Sequence, residues 1–254
     1  MKFYKISLLA FFIFLLAGCS ADNTAITQDT PGFFNHYFIY PFSYLLTFIA
    51  HHLNGSYGLS IVCITVLIRF ILLPFAINQY KSQDKLKKIQ PDMQKVQEKM
   101  KQATTVEEKQ QAQREMMELY SKHGVNPVSM GCLPLFIQFP ILIGFYHAII
   151  RTHEIATHSF LWFNLGHPNI PLALLAGITY VIQFKVSQIG LEQVGSQQKM
   201  MSFIGYFSAI MMAVFSFSAP SALPLYWTVG GIFVIIQTLI LKRIHHHHEK
   251  KEND

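Results

Sequence analysis

The chain has 254 residues, of which 51% are hydrophobic, 14% aromatic and only 13% charged. That balance excludes an ordinary soluble domain of this size and fits a protein built for lipid. The net charge of +6 is unevenly spread, and its distribution says more than its size.

At the N-terminus, Lys2 and Lys5 form a short basic region, Ile6 to Leu16 an apolar stretch, and Leu16-Ala17-Gly18-Cys19 a lipoprotein processing box. This predicts a signal peptide over 1–18, a lipid on the Cys19 thiol, and an extracellular, lipid-anchored segment over 19–56. The alternative is an uncleaved anchor in which Cys19 is incidental. Cys63 and Cys132 lie in apolar runs and are expected to be packing residues, with no disulfide implied. Within 19–56, Phe33 to Leu53 is apolar but contains Pro41, His36, His51 and His52. Its Phe and Tyr clusters suit the headgroup boundary, so it is read as a helix lying along the outer interface.

Five later stretches are long enough to cross a hydrocarbon layer about 30 Å thick. They are placed at 57–80, 132–150, 169–187, 200–217 and 222–241, joined by a 151–168 outer loop and a 188–199 cytoplasmic loop. Orientation follows from basic residues. The 81–131 segment holds ten, among them Lys81, Lys85, Lys87, Lys88, Arg114 and Lys122, whereas 20–56 holds none. The 81–131 segment is therefore assigned to the cytoplasm. Five crossings from an outer anchor put the basic 242–254 tail in the cytoplasm as well, and the location expected is the bacterial cell membrane.

The 81–131 segment is polar yet periodic. Leu86, Ile89, Met93, Val96, Met100 and Ala103 recur at three- and four-residue steps, as in a coiled-coil seam. Thr105 and Glu108 have capping-box spacing for a second helix that ends at Gly124, and Pro91 is expected to kink or restart the first. The result is a helical hairpin, either a solvated spacer or a docking platform for a cytoplasmic partner such as the ribosome or a targeting receptor.

Arg69 falls near the middle of the apolar run Tyr57 to Ile77, and no acidic residue falls inside any long apolar segment. An arginine at membrane depth costs roughly 2.5 to 3.5 kcal/mol on translocon scales, so one without a built-in partner implies water or a visiting anion inside the bilayer. Thr65 is one turn away on the same face. Other spans contribute Gln138, Thr179, Gln183, Ser208, Trp227, Thr228 and Gln237. Singly these read as interhelical hydrogen bonds; together with Arg69 they suggest a wet cavity. Met200, Met201, Met211 and Met212 read as packing residues, with an adaptable apolar surface as the alternative.

Three ordered motifs resemble the YidC family of membrane protein insertases over almost the whole mature chain. They are Thr65-Val66-Leu67-Ile68-Arg69-Phe70-Ile71-Leu72-Leu73-Pro74 with the later Gln90-Pro91, Asn126 to Pro134 continuing to Gln138-Phe139-Pro140, and Leu225 to Phe233 ending in Ile236-Gln237. The lipoprotein box and five spans resemble the Gram-positive form. The resemblance implies an all-α integral membrane fold of five transmembrane helices around a hydrophilic groove, open to the cytoplasm and to lipid. Arg69 would be its positive centre, with Thr65, Gln138, Gln183, Trp227 and Gln237 as groove or substrate-binding residues. The sequence departs from the family at Ala222 and Gly231, where glycine and asparagine are common. Clients would be nascent membrane proteins, handled independently or with the Sec translocon.

No phosphate-binding glycine loop occurs, so the scheme needs no nucleotide cofactor, and no direct nucleic-acid contact is expected. No protease constellation or metal motif is visible, and the exposed string His245 to His248 is assigned no metal role; the chain is not expected to be an enzyme. The rival reading is an ion- or solute-conducting transporter with an intramembrane arginine site. It lacks internal carboxylates for a proton relay, with His147 as the sole intramembrane candidate.

Overall fold

The computed structural model describes residues 25–125, 133–189 and 196–253. The lipoprotein box with Cys19, most of the Asn126–Pro134 motif and Cys132 lie outside them. A π-helical turn over Asn35–Ile39 leads into α1 (Tyr40–His52), followed by α2 (Tyr57–Ile71), α3 (Leu73–Lys88), α4 (Gln90–Gln102), α5 (Val106–Lys122), α6 (Leu133–Arg151) and a short α7 (His153–Thr157). A two-stranded hairpin, β1 (Ser159–Phe160) and β2 (Phe163–Asn164), precedes α8 (Ile170–Gln188), α9 (Ser196–Ser218) and α10 (Ala222–Asn253).

Local chemistry sets these boundaries. Ser56 caps α2 by accepting from the Leu59 amide, and Asn169 caps α8 by accepting from Leu172. Prolines stand in the first turns of α1, α3, α4 and α8, where a missing N–H costs no helical bond. Pro91 restarts the hairpin's first arm as expected, so Leu86 and Met93 sit on separate helices on either side of Ile89. Thr105 and Glu108 form the capping box, each side chain bonding the other's backbone amide. The hairpin arms α4 and α5 pack together and share a Lys99–Glu115 ion pair at 2.8 Å.

By length and composition, α8 and the Ala222–Ile244 part of α10 are each able to cross a membrane. Ile137–Arg151 and Gly205–Ser218 are shorter apolar helices. The π turn with α1 passes the same test only together with α2, from which it is bent by 119°. That reversal is made at Asn54 and Gly55, both with positive φ. The first apolar run does not continue as one helix past Ile71: α2 ends there, Leu72 serves as the joint, and α3 begins again with Pro74 in its first turn.

The outward surfaces are greasy. Phe203, Phe207, Ile210 and Val214 form an exposed stripe on α9, with Leu174, Ile178 and Ile182 on α8 and Ile232 and Ile236 on α10. Apolar faces this extensive mean lipid or a partner, not water. Cys63 lies on such a surface: it is a free thiol exposed on α2, which corrects the packing role expected of it, because it projects from the side of the helix opposite the buried Ile61 and Ile64. Met211 is also exposed, whereas Met212 packs on the core.

The core occupies one end of the bundle. Leu46 of α1, Ile61 and Ile64 of α2, Phe145 and Ile149 of α6, Leu172 of α8 and Leu223, Tyr226 and Trp227 of α10 form one cluster, joined by Phe163 and Leu165 of the strand loop. The Phe145 and Tyr226 rings lie 4.7 Å apart. At the other end of the same helices the packing opens.

A polar cavity between the helices

The opening is a cavity of about 450 Å³. Its wall takes Arg69 from the last turn of α2; Gln79, Tyr80, Gln83 and Lys87 from α3; Gln138 from α6; Tyr180, Gln183 and Ser187 from α8; Ser208 from α9; and Gln237, Thr238 and Lys242 from α10. Arg69, Lys87 and Lys242 are cations, and among the described residues that line the cavity there is no carboxylate. Amides and hydroxyls supply both donors and acceptors, so the wall can satisfy water or a polypeptide.

The Arg69 guanidinium lies against α10 at Gly230. A Cβ built on Gly230 would stand 2.8 Å from Nη2 and 3.3 Å from Nε, so the guanidinium occupies space that any larger residue there would take. Among the described residues no carboxylate forms an ion pair with Arg69. The phenol of Tyr180 lies within reach of its charge. One residue on, a Cβ at Gly231 would meet Thr179 Cγ2 at 2.6 Å and Gln183 Oε1 at 3.3 Å. Gly231 thus lets α8 and α10 approach closely, which is the structural consequence of the departure noted at this position.

The remaining polar groups are held in place individually. Gln138 Nε2 donates to the Tyr226 hydroxyl at 2.8 Å, tying the cavity wall to the core. Lys242 Nζ donates to the carbonyls of Val186 at 2.5 Å, Ser187 at 3.2 Å and Ile189 at 2.7 Å, at the C-terminal end of α8, where the Val186 carbonyl also accepts from the Ile189 amide. Ser208 and Thr238 donate back to carbonyls of their own helices.

Four of the six residues expected at the site, Arg69, Gln138, Gln183 and Gln237, therefore line one cavity. Thr65 and Trp227 do not. Thr65 is fully buried and donates to the Ile61 carbonyl at 2.7 Å, so its hydroxyl is spent inside α2. Trp227 is buried at the packed end, tilted against Phe215 of α9. The α3 contributions, Tyr180 and Lys242 escaped the sequence reading. Gln79 and Gln83 are one helical turn apart in an already polar region, where glutamine gives no contrast; only the break at Leu72 brings that helix beside the groove.

Greasy outer faces around a cation-centred polar cavity define an integral membrane protein that manages polar groups inside the bilayer. Comparison with known proteins makes this specific. Residues 48–250 match the 60Kd inner membrane protein family. Membrane protein insertase YidC 2 of Listeria monocytogenes is 46% identical over 94% of this chain and 87% of its own length. Membrane protein insertase MisCA of Bacillus subtilis is 46% identical over 90% of this chain and 86% of its own. Among solved structures, an active YidC insertase crystal structure with its first transmembrane domain resolved superposes with a TM-score of 0.61 and 25% identity. It covers 78% of this chain, which spans 45% of that longer one. The chain belongs to this family, the YidC membrane protein insertases.

Proposed function

We propose that this chain is a membrane protein insertase that receives a polar segment of a nascent membrane protein in the cavity and releases the adjoining apolar segment sideways into lipid. The observation that carries the reading is the composition of the cavity wall: Arg69, amides and hydroxyls, with no carboxylate among the described lining residues to neutralise the cation. A substrate's acidic residues are attracted to Arg69, and the polar wall shortens the distance over which their polar groups cross hydrocarbon. Partition of the apolar segment drives release. For acidic tails the membrane potential adds about 2.3 kcal/mol per charge per 100 mV. The names of the relatives support insertion, and nothing in them supports the conducting-transporter alternative.

The finer arrangement belongs to the same proposal. Five spans surround a groove open to the cytoplasm, α1 rests along the outer interface, Cys19 bears lipid outside, and the α3–α5 hairpin and the C-terminal tail lie in the cytoplasm. The basic bias of 81–131 and the position of the cavity beside that hairpin support this orientation. The hairpin serves as the receiving surface for a ribosome or a targeting receptor, and the chain works independently or with the Sec translocon.

Insertion of a single-span protein with an acidic N-terminal tail into liposomes containing only the purified chain tests the reading. Protection of the tail from protease is expected with the native chain and with Arg69→Lys. It should fall about tenfold or more with Arg69→Ala, since loss of one charge-assisted contact worth about 1.4 kcal/mol is a factor of ten. Equal protection by the alanine form removes the electrostatic step, and protection by neither form removes the insertase reading.

A further inference from the structure

The cavity has cations at two levels, and their circumstances differ. Arg69 belongs to the last turn of α2, beside the core, whereas Lys87 and Lys242 come from the last turn of α3 and from α10 beside the C-terminal end of α8. An ammonium has three donor hydrogens, and Lys242 directs hydrogen bonds to three carbonyls there. Lys242 is therefore a crossbar fixing α10 to the end of α8. It adds positive charge to the mouth but has no donor left for a ligand. Lys87, on the facing wall, is partly exposed, and among the described residues it takes no part in the ion pairs made by Lys88, Lys95 and Lys99.

We propose that Lys87 is a first carboxylate-binding station at the cavity mouth, positioned opposite the Lys242 crossbar, where an acidic peptide segment is held before it reaches Arg69. This rests on the insertase reading and names what the mouth selects: carboxylates carried on a flexible polypeptide. The two stations would favour tails whose acidic residues are spaced along the chain over tails with a single one. The crossbar holds the α8 and α10 side of the mouth together, because moving Lys242 takes a donor from the carbonyls of Ser187 and Ile189 and one of two donors from that of Val186.

The test uses the full chain in zwitterionic nanodiscs and a fluorescent tail peptide bearing two spaced glutamates, compared by anisotropy with its glutamine counterpart. Native chain should bind the acidic peptide more tightly, with an advantage that shrinks as salt rises. Lys87→Gln should cut that advantage by about fivefold or less, the range of a half-exposed ion pair, and Lys87→Arg should restore it. Lys242→Gln should weaken both peptides, a positioning effect on the mouth as a whole. Equal binding of the two peptides by the native chain, or no effect of Lys87→Gln on their ratio, overturns the proposal. So does competition by anionic lipid that erases the native preference, for it would mean that lipid phosphate occupies Lys87. Insertion assays separate the two levels: charge-selective binding without insertion overturns the insertase reading alone, and insertion without charge-selective binding overturns the mouth station alone.

Discussion

Each long helix of this bundle is packed at one end and hollow at the other. In α2, Ile61 and Ile64 are fully buried in the core, whereas Arg69 lines the cavity. In α6 the buried Phe145 and Ile149 are two to three turns from Gln138; in α8, Leu172 and Ala176 give way to Tyr180 and Gln183; in α10, Leu223 and Trp227 give way to Gln237 and Lys242. The difference is one of composition along a helix, not around it. An amphipathic helix would place a polar stripe down one face for its whole length. Here the inward face itself changes character midway, which seals the bundle at one end and leaves it open at the other.

Substitutions on either side of the change should separate stability from activity. Phe145→Ala, at the packed end, removes a fully buried ring that lies against Tyr226 and Phe42. It should cost about 3 to 5 kcal/mol, read as a lowered midpoint in thermal unfolding of the detergent-solubilised chain. A loss under about 1 kcal/mol would mean that this end is less solid than its burial implies. Gly231→Ala falls at the change itself, where a Cβ would press on Thr179. About 1 to 3 kcal/mol of destabilisation is expected, with reduced insertion by whatever protein remains folded. Unaltered unfolding would show that α8 and α10 can part without penalty.

The smallest effect lies outside both ends, in the hairpin. Hydrogen bonds from the Thr105 and Thr104 amides hold the Glu108 carboxyl below the ordinary glutamate range. A depressed pKa means that this contribution is complete above the ordinary glutamate value and disappears as pH falls through the lower folded value. Hydrogen exchange at Thr104 and Thr105 should therefore be faster in Glu108→Gln than in the native chain at neutral pH. The two should converge in acid, once the native carboxyl is protonated. A difference independent of pH would assign the effect to side-chain shape instead of charge.

What the sequence disclosed followed contrast. Arg69, Gln138, Gln183 and Gln237 stand out because each interrupts an apolar run, and all four reach the cavity. Thr65 and Trp227 interrupt such runs too, but a hydroxyl can satisfy itself on its own helix and an indole is largely hydrocarbon, so neither requires a polar site. Lys242 looked like the start of a solvated tail; the single helix running from Ala222 to Asn253 carries it past the end of α8 instead. The joint at Leu72 was hidden because apolar residues continue across it, and Pro74 is equally at home inside a kinked span or at the start of a new helix.

That joint bears on the electrical profile of the membrane. The fifteen residues of α2 rise about 22 Å at 1.5 Å each, short of a hydrocarbon layer of about 30 Å. In the orientation proposed above, the remaining depth lies beside the polar cavity, whose wall polarises more readily than packed apolar side chains. In that orientation a transmembrane voltage falls mainly across the packed end, and the field there is steeper than in the surrounding lipid. A substrate charge held at Arg69, as the proposed function has it, would have traversed the cavity at little electrical cost and would stand at the edge of the steep part, where the voltage does most of its work on it.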